Sequence, residues 1–191
     1  MAKAKKRRQT ARRGSPSDRR GGTRQPDAVE LLKSDHRQVE EWFEQFQSTR
    51  SQDRKQRLAG QICQALKVHT RIEEEIFYPA FLEATGDEDI HHEAEVEHEG
   101  AKRLIADIEA SGSDDDYFDA RVGVLSEMIR HHVNEEEKRD GMFAKARKTD
   151  MDMVELGRKL SSLKNELMSA ADTETSISNR APRAGHAQAR A

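Results

Sequence analysis

Four histidines and two glutamates stand at positions where a helix would be expected to carry apolar residues. His36 falls in the series Val29, Leu32, Val39, Phe43, at helical spacing. His69 and Glu73 fall between Leu66 and Ile76, inside the stretch HTRIEEEIFYP. His98 falls between Ala94 and Ala101, and His132 and Glu136 continue Val122, Leu125 and Ile129. Residues four apart stack on one helix face, so His69–Glu73 and His132–Glu136 each project as a pair. An unpaired buried carboxylate costs several kcal/mol or is neutralised by a shifted pKa. A metal ion removes that cost for carboxylate and imidazole together. Mixed imidazole and carboxylate ligation suits iron more than calcium or magnesium, which prefer oxygen alone. There is no inward set of thiolates, which argues against a structural zinc site. Four histidines and two glutamates point to two ions rather than one.

Any one of these histidines, taken alone, is better explained as an ordinary core or half-exposed side chain. The recurrence on four segments is what favours ligation. In HHVNEEE, both His131–Glu135 and His132–Glu136 have ligand spacing. At ~100° per residue, His132 lies within about 35° and Glu136 within about 10° of the mean direction of Val122, Val124, Leu125, Met128, Ile129 and Val133. His131 and Glu135 lie about 130° and about 95° away, so they are expected in solvent. His91 precedes His98 by about 10.5 Å of helix and is expected outside the ligand set, as is His92. His186 has no assigned role.

The elements that must position these groups are helical. Prolines occur only at 16, 26, 79 and 182, which leaves long spans free of helix breakers, and no alternating strand pattern stands out. Pro26–Asp27 reads as a helix start. Helices are expected from there to about 47, over 54–78 with a disruption at Pro79, over 88–110, and from the acidic loop at 114–116 onward with a kink near Gly141. A shorter fifth helix is expected at about 150–170. Long helices with short connections make an all-α, antiparallel four-helix bundle with an additional C-terminal helix. The expected boundaries are a disordered basic arm at 1–25, the bundle at 26–148, the C-terminal helix at 149–172 and a disordered tail at 173–191. The arm has ten Lys/Arg against one acid and no large apolar residue, so it cannot offset its ordering entropy. The single cysteine, Cys63, excludes an internal disulfide and reads as a small buried residue. With no apolar run of membrane length and no apolar segment behind the basic start, neither a membrane span nor a secretory signal is expected, and a cytoplasmic location is the default.

Asp35–His36, then HTRIEEEIFYP, then ValGluHisGlu around His98, then HHVNEEE together resemble the hemerythrin-like, or HHE cation-binding, family. The likeness covers about residues 27–147, and its specificity lies in the ordered pattern His, His-x-x-x-Glu, His, His-x-x-x-Glu. The resemblance implies a four-helix bundle with a non-haem di-iron centre. It implies ligation by His36, His69, Glu73, His98, His132 and Glu136, with Glu73 and Glu136 bridging. Oxygen-carrying members have a further histidine where this chain has Ala94, and an aspartate five residues after the last histidine where Glu136 here follows by four. Glu95 is the candidate to fill the position left by Ala94.

The function so implied is binding of O2, nitric oxide or peroxide at two iron ions, for sensing, storage or redox and iron homeostasis. The alternatives are a peroxide-consuming or ferroxidase-like oxidoreductase, and a helical interaction module stabilised by metal. The basic arm has the charge for phosphate contacts with nucleic acid but no aromatic residue to stack on bases. A solvated tail, or one folded back on the acidic body, is therefore favoured over nucleic acid. Oligomeric state is not legible.

Overall fold

Helix caps and turn residues set the element boundaries. A computed structural model describes residues 25–180, and 1–24 and 181–191, which hold nearly all of the basic arm and part of the tail, lie outside it. Helix α1 (Ala28–Ser48) begins at Asp27, whose side chain accepts from the Glu30 amide while Glu30 reaches back to the Asp27 amide. Ser51 caps α2 (Gln52–Ile72). A π-helical turn, Glu73–Phe77, runs on directly into α3 (Tyr78–Thr85). Gly86, at φ 66°, supplies the left-handed residue that ends α3. Then follow α4 (Glu88–Ala110), α5 (Phe118–Glu137), the short α6 (Met142–Ala146) and α7 (Met153–Arg180). No strand occurs among the described residues.

The helices α1, α2, α4 and α5 form a closed ring of neighbours, each packed on the next, and α7 lies against α1 and α2. This is an antiparallel four-helix bundle with an added C-terminal helix, and α7 extends past the boundary expected at 172. No described helix is long and apolar enough to cross a membrane.

The bundle has two apolar cores, not one. The first gathers Leu32, Val68, Ile72, Phe77, Phe81, Ala94 and Phe143. The second gathers Val39, Phe43, Leu66, Ala101, Leu125 and Ile129. On α1 and α4 the predicted ligands fall between the two sets, and on α5 they follow Ile129 of the second set. His69 and Glu73 lie beside Val68, Ile72 and Phe77 of the first set, just past Leu66 of the second. His36 follows Leu32 and precedes Val39, and His98 lies between Ala94 and Ala101. A polar layer is therefore sandwiched between hydrophobic layers that exclude water from it.

Three local expectations are corrected. Pro79 does not break the second helix. In the π turn, the Tyr78 amide bonds to Glu73 O, five residues back, and Pro79 then sits in the first turn of α3, where a missing N–H costs little. The inserted residue also shifts the buried stripe by one, so Phe77 is fully buried and Ile76 only half-buried. Gly141 does not kink a continuous helix. Helix α5 ends at Glu137, and Gly141 packs so close to its last turn that a Cβ would lie 2.2 Å from Glu135 O and 2.8 Å from Glu136 O. Val124, counted with the inward face, is half exposed.

Candidate metal centre

The six predicted side chains meet in the polar layer, each no more than 5% exposed. They are arranged as two histidine pairs. His36 Nε2 and His69 Nε2 lie 3.0 Å apart, and His98 Nε2 and His132 Nε2 lie 3.2 Å apart. Each glutamate spans both pairs. Glu73 Oε2 is 3.2 Å from His69 Nε2 and 3.5 Å from His98 Nε2. Glu136 Oε2 is 3.4 Å from His36 Nε2 and 3.7 Å from His132 Nε2. His36, His69 and Glu73 offer donor atoms close enough together for one cation, and Glu73, His98 and His132 do so for another.

A second circle of acids holds the outer ring nitrogens. Glu137 meets His36 Nδ1 at 2.8 Å, Glu74 meets His98 Nδ1 at 2.9 Å and Glu97 meets His132 Nδ1 at 2.7 Å. Asp35 lies 3.6 Å from His69 Nδ1, beyond hydrogen-bond length. A carboxylate can only accept, so the bonded Nδ1 atoms carry protons and the Nε2 lone pairs face inward. The circle closes on itself. An acid on α1 serves the histidine of α2, one in the π turn serves α4, one on α4 serves α5, and one on α5 serves α1.

Inward ring nitrogens set against one another, together with buried carboxylate atoms lacking partners, suit a cation. Glu73 Oε1 and Glu136 Oε2 accept no hydrogen bond. The donor set thus fits two metal ions of intermediate softness. Residues 27–146 match the family described as the Hemerythrin HHE cation binding domain, which covers more than half of the chain. This chain belongs to the hemerythrin HHE cation-binding domain family. A solved structure of a hemerythrin HHE cation binding domain-containing protein from Mycobacterium kansasii superposes with a TM-score of 0.67 at 23% identity, covering 82% of this chain and 96% of that one. That likeness bears on the fold alone. A curated relative from Nostoc, named DNA nickase, is 31% identical over 108 residues. The match takes in 56% of this chain but only 30% of that relative's length.

Within this hemerythrin-like layer the electrostatics follow burial. Desolvation, the largest influence, raises Glu73 to about 7 and Glu136 to about 8, and the neighbouring Glu73 carboxylate pushes Glu136 in the same direction. Burial lowers His36 to about 3 against the pull of Glu137. The outer acids go the other way. Burial pushes Glu137 up, but hydrogen bonds from His36, Arg37 and Lys33 outweigh it and bring the group to about 2. Glu74 and Asp35 are likewise held below the usual carboxylate range despite burial, by His98 and Lys102 and by His69 and Lys164 respectively. Burial thus favours the protonated form of both inner glutamates where no metal is bound.

Sequence reasoning missed Tyr78 and the outer acids. The π turn carries Tyr78 to the same side as Glu73, so its hydroxyl lies 3.1 Å from His98 Nε2 and donates to Glu136 Oε1 at 3.1 Å. Burial keeps it a neutral phenol, raised well above its ordinary pKa. Tyr78, not Glu95, is the oxygen beside His98, because Glu95 is exposed and its carboxylate faces His91 at 3.6 Å. Glu74 is half-buried and bonded to His98. The signal was in the sequence: Asp35, Glu74, Glu97 and Glu137 each adjoin an inward residue of their own segment. His131 is exposed, as is His92, and His91 stands outside the six, with its ring 6.0 Å from that of Tyr78.

Proposed function

We propose that this chain is a non-haem di-iron protein that binds O2 or a related small oxidant, nitric oxide or peroxide, in redox or iron homeostasis. The observation that carries the reading is the pairing: two histidine pairs, each touched by both buried glutamates. His36, His69, His98 and His132 serve as nitrogen ligands, and Glu73 and Glu136 as the carboxylates shared between the ions. Iron held by these residues would supply one-electron redox chemistry toward a small ligand. The two apolar cores keep water from the layer. A small cleft of about 40 Å³ between α1 and α5, lined by His36, Phe43, Ile129 and Val133 together with Glu40, Ser126 and Arg130, has room for a small molecule. The test is metal analysis after anaerobic reconstitution of the full chain. About two iron ions per chain are expected, with loss of binding in His69→Ala and Glu73→Ala. A content well below one ion per chain overturns the reading.

An oxidoreductase is favoured by one observation, the Tyr78 hydroxyl. It places a proton donor against Glu136 and His98, on one histidine pair only, while the other pair has Phe143 stacked on His36. Peroxide consumption that falls in Tyr78→Phe at unchanged iron content supports this reading, and equal rates exclude a role for the phenol. Nucleic-acid binding is a separate reading. It rests on the ten Lys/Arg against one acid in residues 1–25 and on the relative named DNA nickase. Phosphate contacts make such binding salt-dependent, so duplex retention should vanish at higher salt and on deletion of residues 1–25.

A further inference from the structure

We propose that the cleft between α4 and α5 is a cation-loading site, in which Glu93, Glu97 and His131 take up a divalent metal ion at the mouth and deliver it to His132 and Glu136 at the floor. The proposal rests on reading the polar layer as a metal centre. Glu93, Glu97 and His131 each offer a donor atom, and these atoms all lie within 4.8 Å of one another, close enough for one ion. The cleft beside them has a volume of about 40 Å³, and its lining includes Glu93, Glu97, His132 and Glu136. Glu136 is 2% exposed, and its Oε2 accepts no hydrogen bond. The small side chain of Ala94 also lines this space.

Charge pairing sets Glu97 apart from the other outer acids. Asp35 is met by Lys164, Glu74 by Lys102, and Glu137 by Arg37 and Lys33. Glu97 instead faces His131, whose Nε2 is 3.2 Å from its Oε1. Its other oxygen holds His132 Nδ1 at 2.7 Å. One carboxylate thus links an exposed imidazole to a buried one. Lys138 and Glu135 also line the cleft and pair with each other, which leaves Glu93 and Glu97 to carry its negative charge. Nitrogen and oxygen donors of this kind suit Fe(II), Mn(II), Co(II) or Zn(II). A dehydrating ion follows the wall of Glu93 and Glu97, where a focused negative potential speeds capture.

The test is anaerobic stopped-flow loading of the metal-free full chain with Co(II), followed by its visible absorption. The variants are Glu93→Gln/His131→Ala, which leaves the Glu97–His132 bond in place, and His92→Ala/Glu95→Gln, at a neighbouring surface group outside the cleft. The first is expected to load about tenfold more slowly and to reach the same final stoichiometry, while the second loads like the unaltered protein. Equal rates in the first variant overturn the proposal, and so does equal slowing in both. A lower final stoichiometry in the first also overturns it, because those groups would then belong to the centre itself. Failure of the unaltered protein to take up Co(II) sinks the metal-centre reading and this proposal together, an outcome distinct from unchanged rates.

Discussion

Glu137 and His36, 101 positions apart in sequence, meet at 2.8 Å, and this contact joins the last helix of the ring to the first. It fixes the imidazole so that Nδ1 donates outward and Nε2 faces the layer. Replacing Glu137 by Gln removes the charge and leaves an amide of the same size. The expected result is a loss of about 10- to 100-fold in metal affinity with the helical content unchanged. A chelator competition titration, with circular dichroism alongside, measures both. Unchanged affinity means that the contact orients nothing.

The metal-free protein should lose stability as pH rises from about 6.5 to 8. Glu73 and Glu136, at about 7 and about 8 when folded against an ordinary 4.5, bind protons more tightly in the folded chain. Their contribution is complete below the unfolded value and disappears as pH climbs through the folded ones. His36 has the opposite sign: its folded value of about 3 lies below 6.5, so its contribution grows with pH and is complete above 6.5. Above pH 6.5 only the glutamates act, and the melting temperature falls. Metal competes with those protons, so the loaded protein should show a flatter profile. Thermal melts of both forms across this range decide it.

Gly141→Ala should destabilise the protein and weaken metal binding at once. Its Cβ would press on the carbonyls of Glu135 and Glu136, and Glu136 faces the layer. Gly123→Ala is the control, because a Cβ there meets nothing within 4 Å. In a helix interior that change is expected to be neutral or to stabilise by about 0.5–1 kcal/mol. Equal melting temperatures for the two variants would contradict the crowding at Gly141.

Helix α7 lies beyond the matched family region, yet its Lys164 pairs with Asp35, the acid facing His69. Lys164→Ala is expected to lower metal affinity by less than Glu137→Gln does, because the Asp35–His69 contact is longer and the lysine acts through it. The same chelator competition checks this. Equal or larger loss would give α7 a more direct part in the centre.

The sequence disclosed the helices, the bundle and the inward direction of six polar side chains, because all of these follow from periodicity within single segments. The choice of His132 over His131 needed only the wheel of one helix. What escaped it depends on distance across the bundle or on a change of helical register. Tyr78 sits five residues from Glu73, which ordinary helical spacing turns away, and only the π turn brings the two to one side. Pro79 looked like a terminator because the widened turn ahead of it could not be seen. Glu74, Glu97 and Glu137 escaped because each finds its partner on another helix.

The circle of outer acids has a mechanical meaning. Three of the four joints are hydrogen bonds and the fourth, Asp35 to His69, is a looser contact of 3.6 Å, so turning any one rod strains the joints to both its neighbours. Any grip on cations and the assembly of the tertiary structure would then be one event. Such a protein would shed its metal only by loosening the whole ring, and a lesion in any one joint would be felt at all four imidazoles.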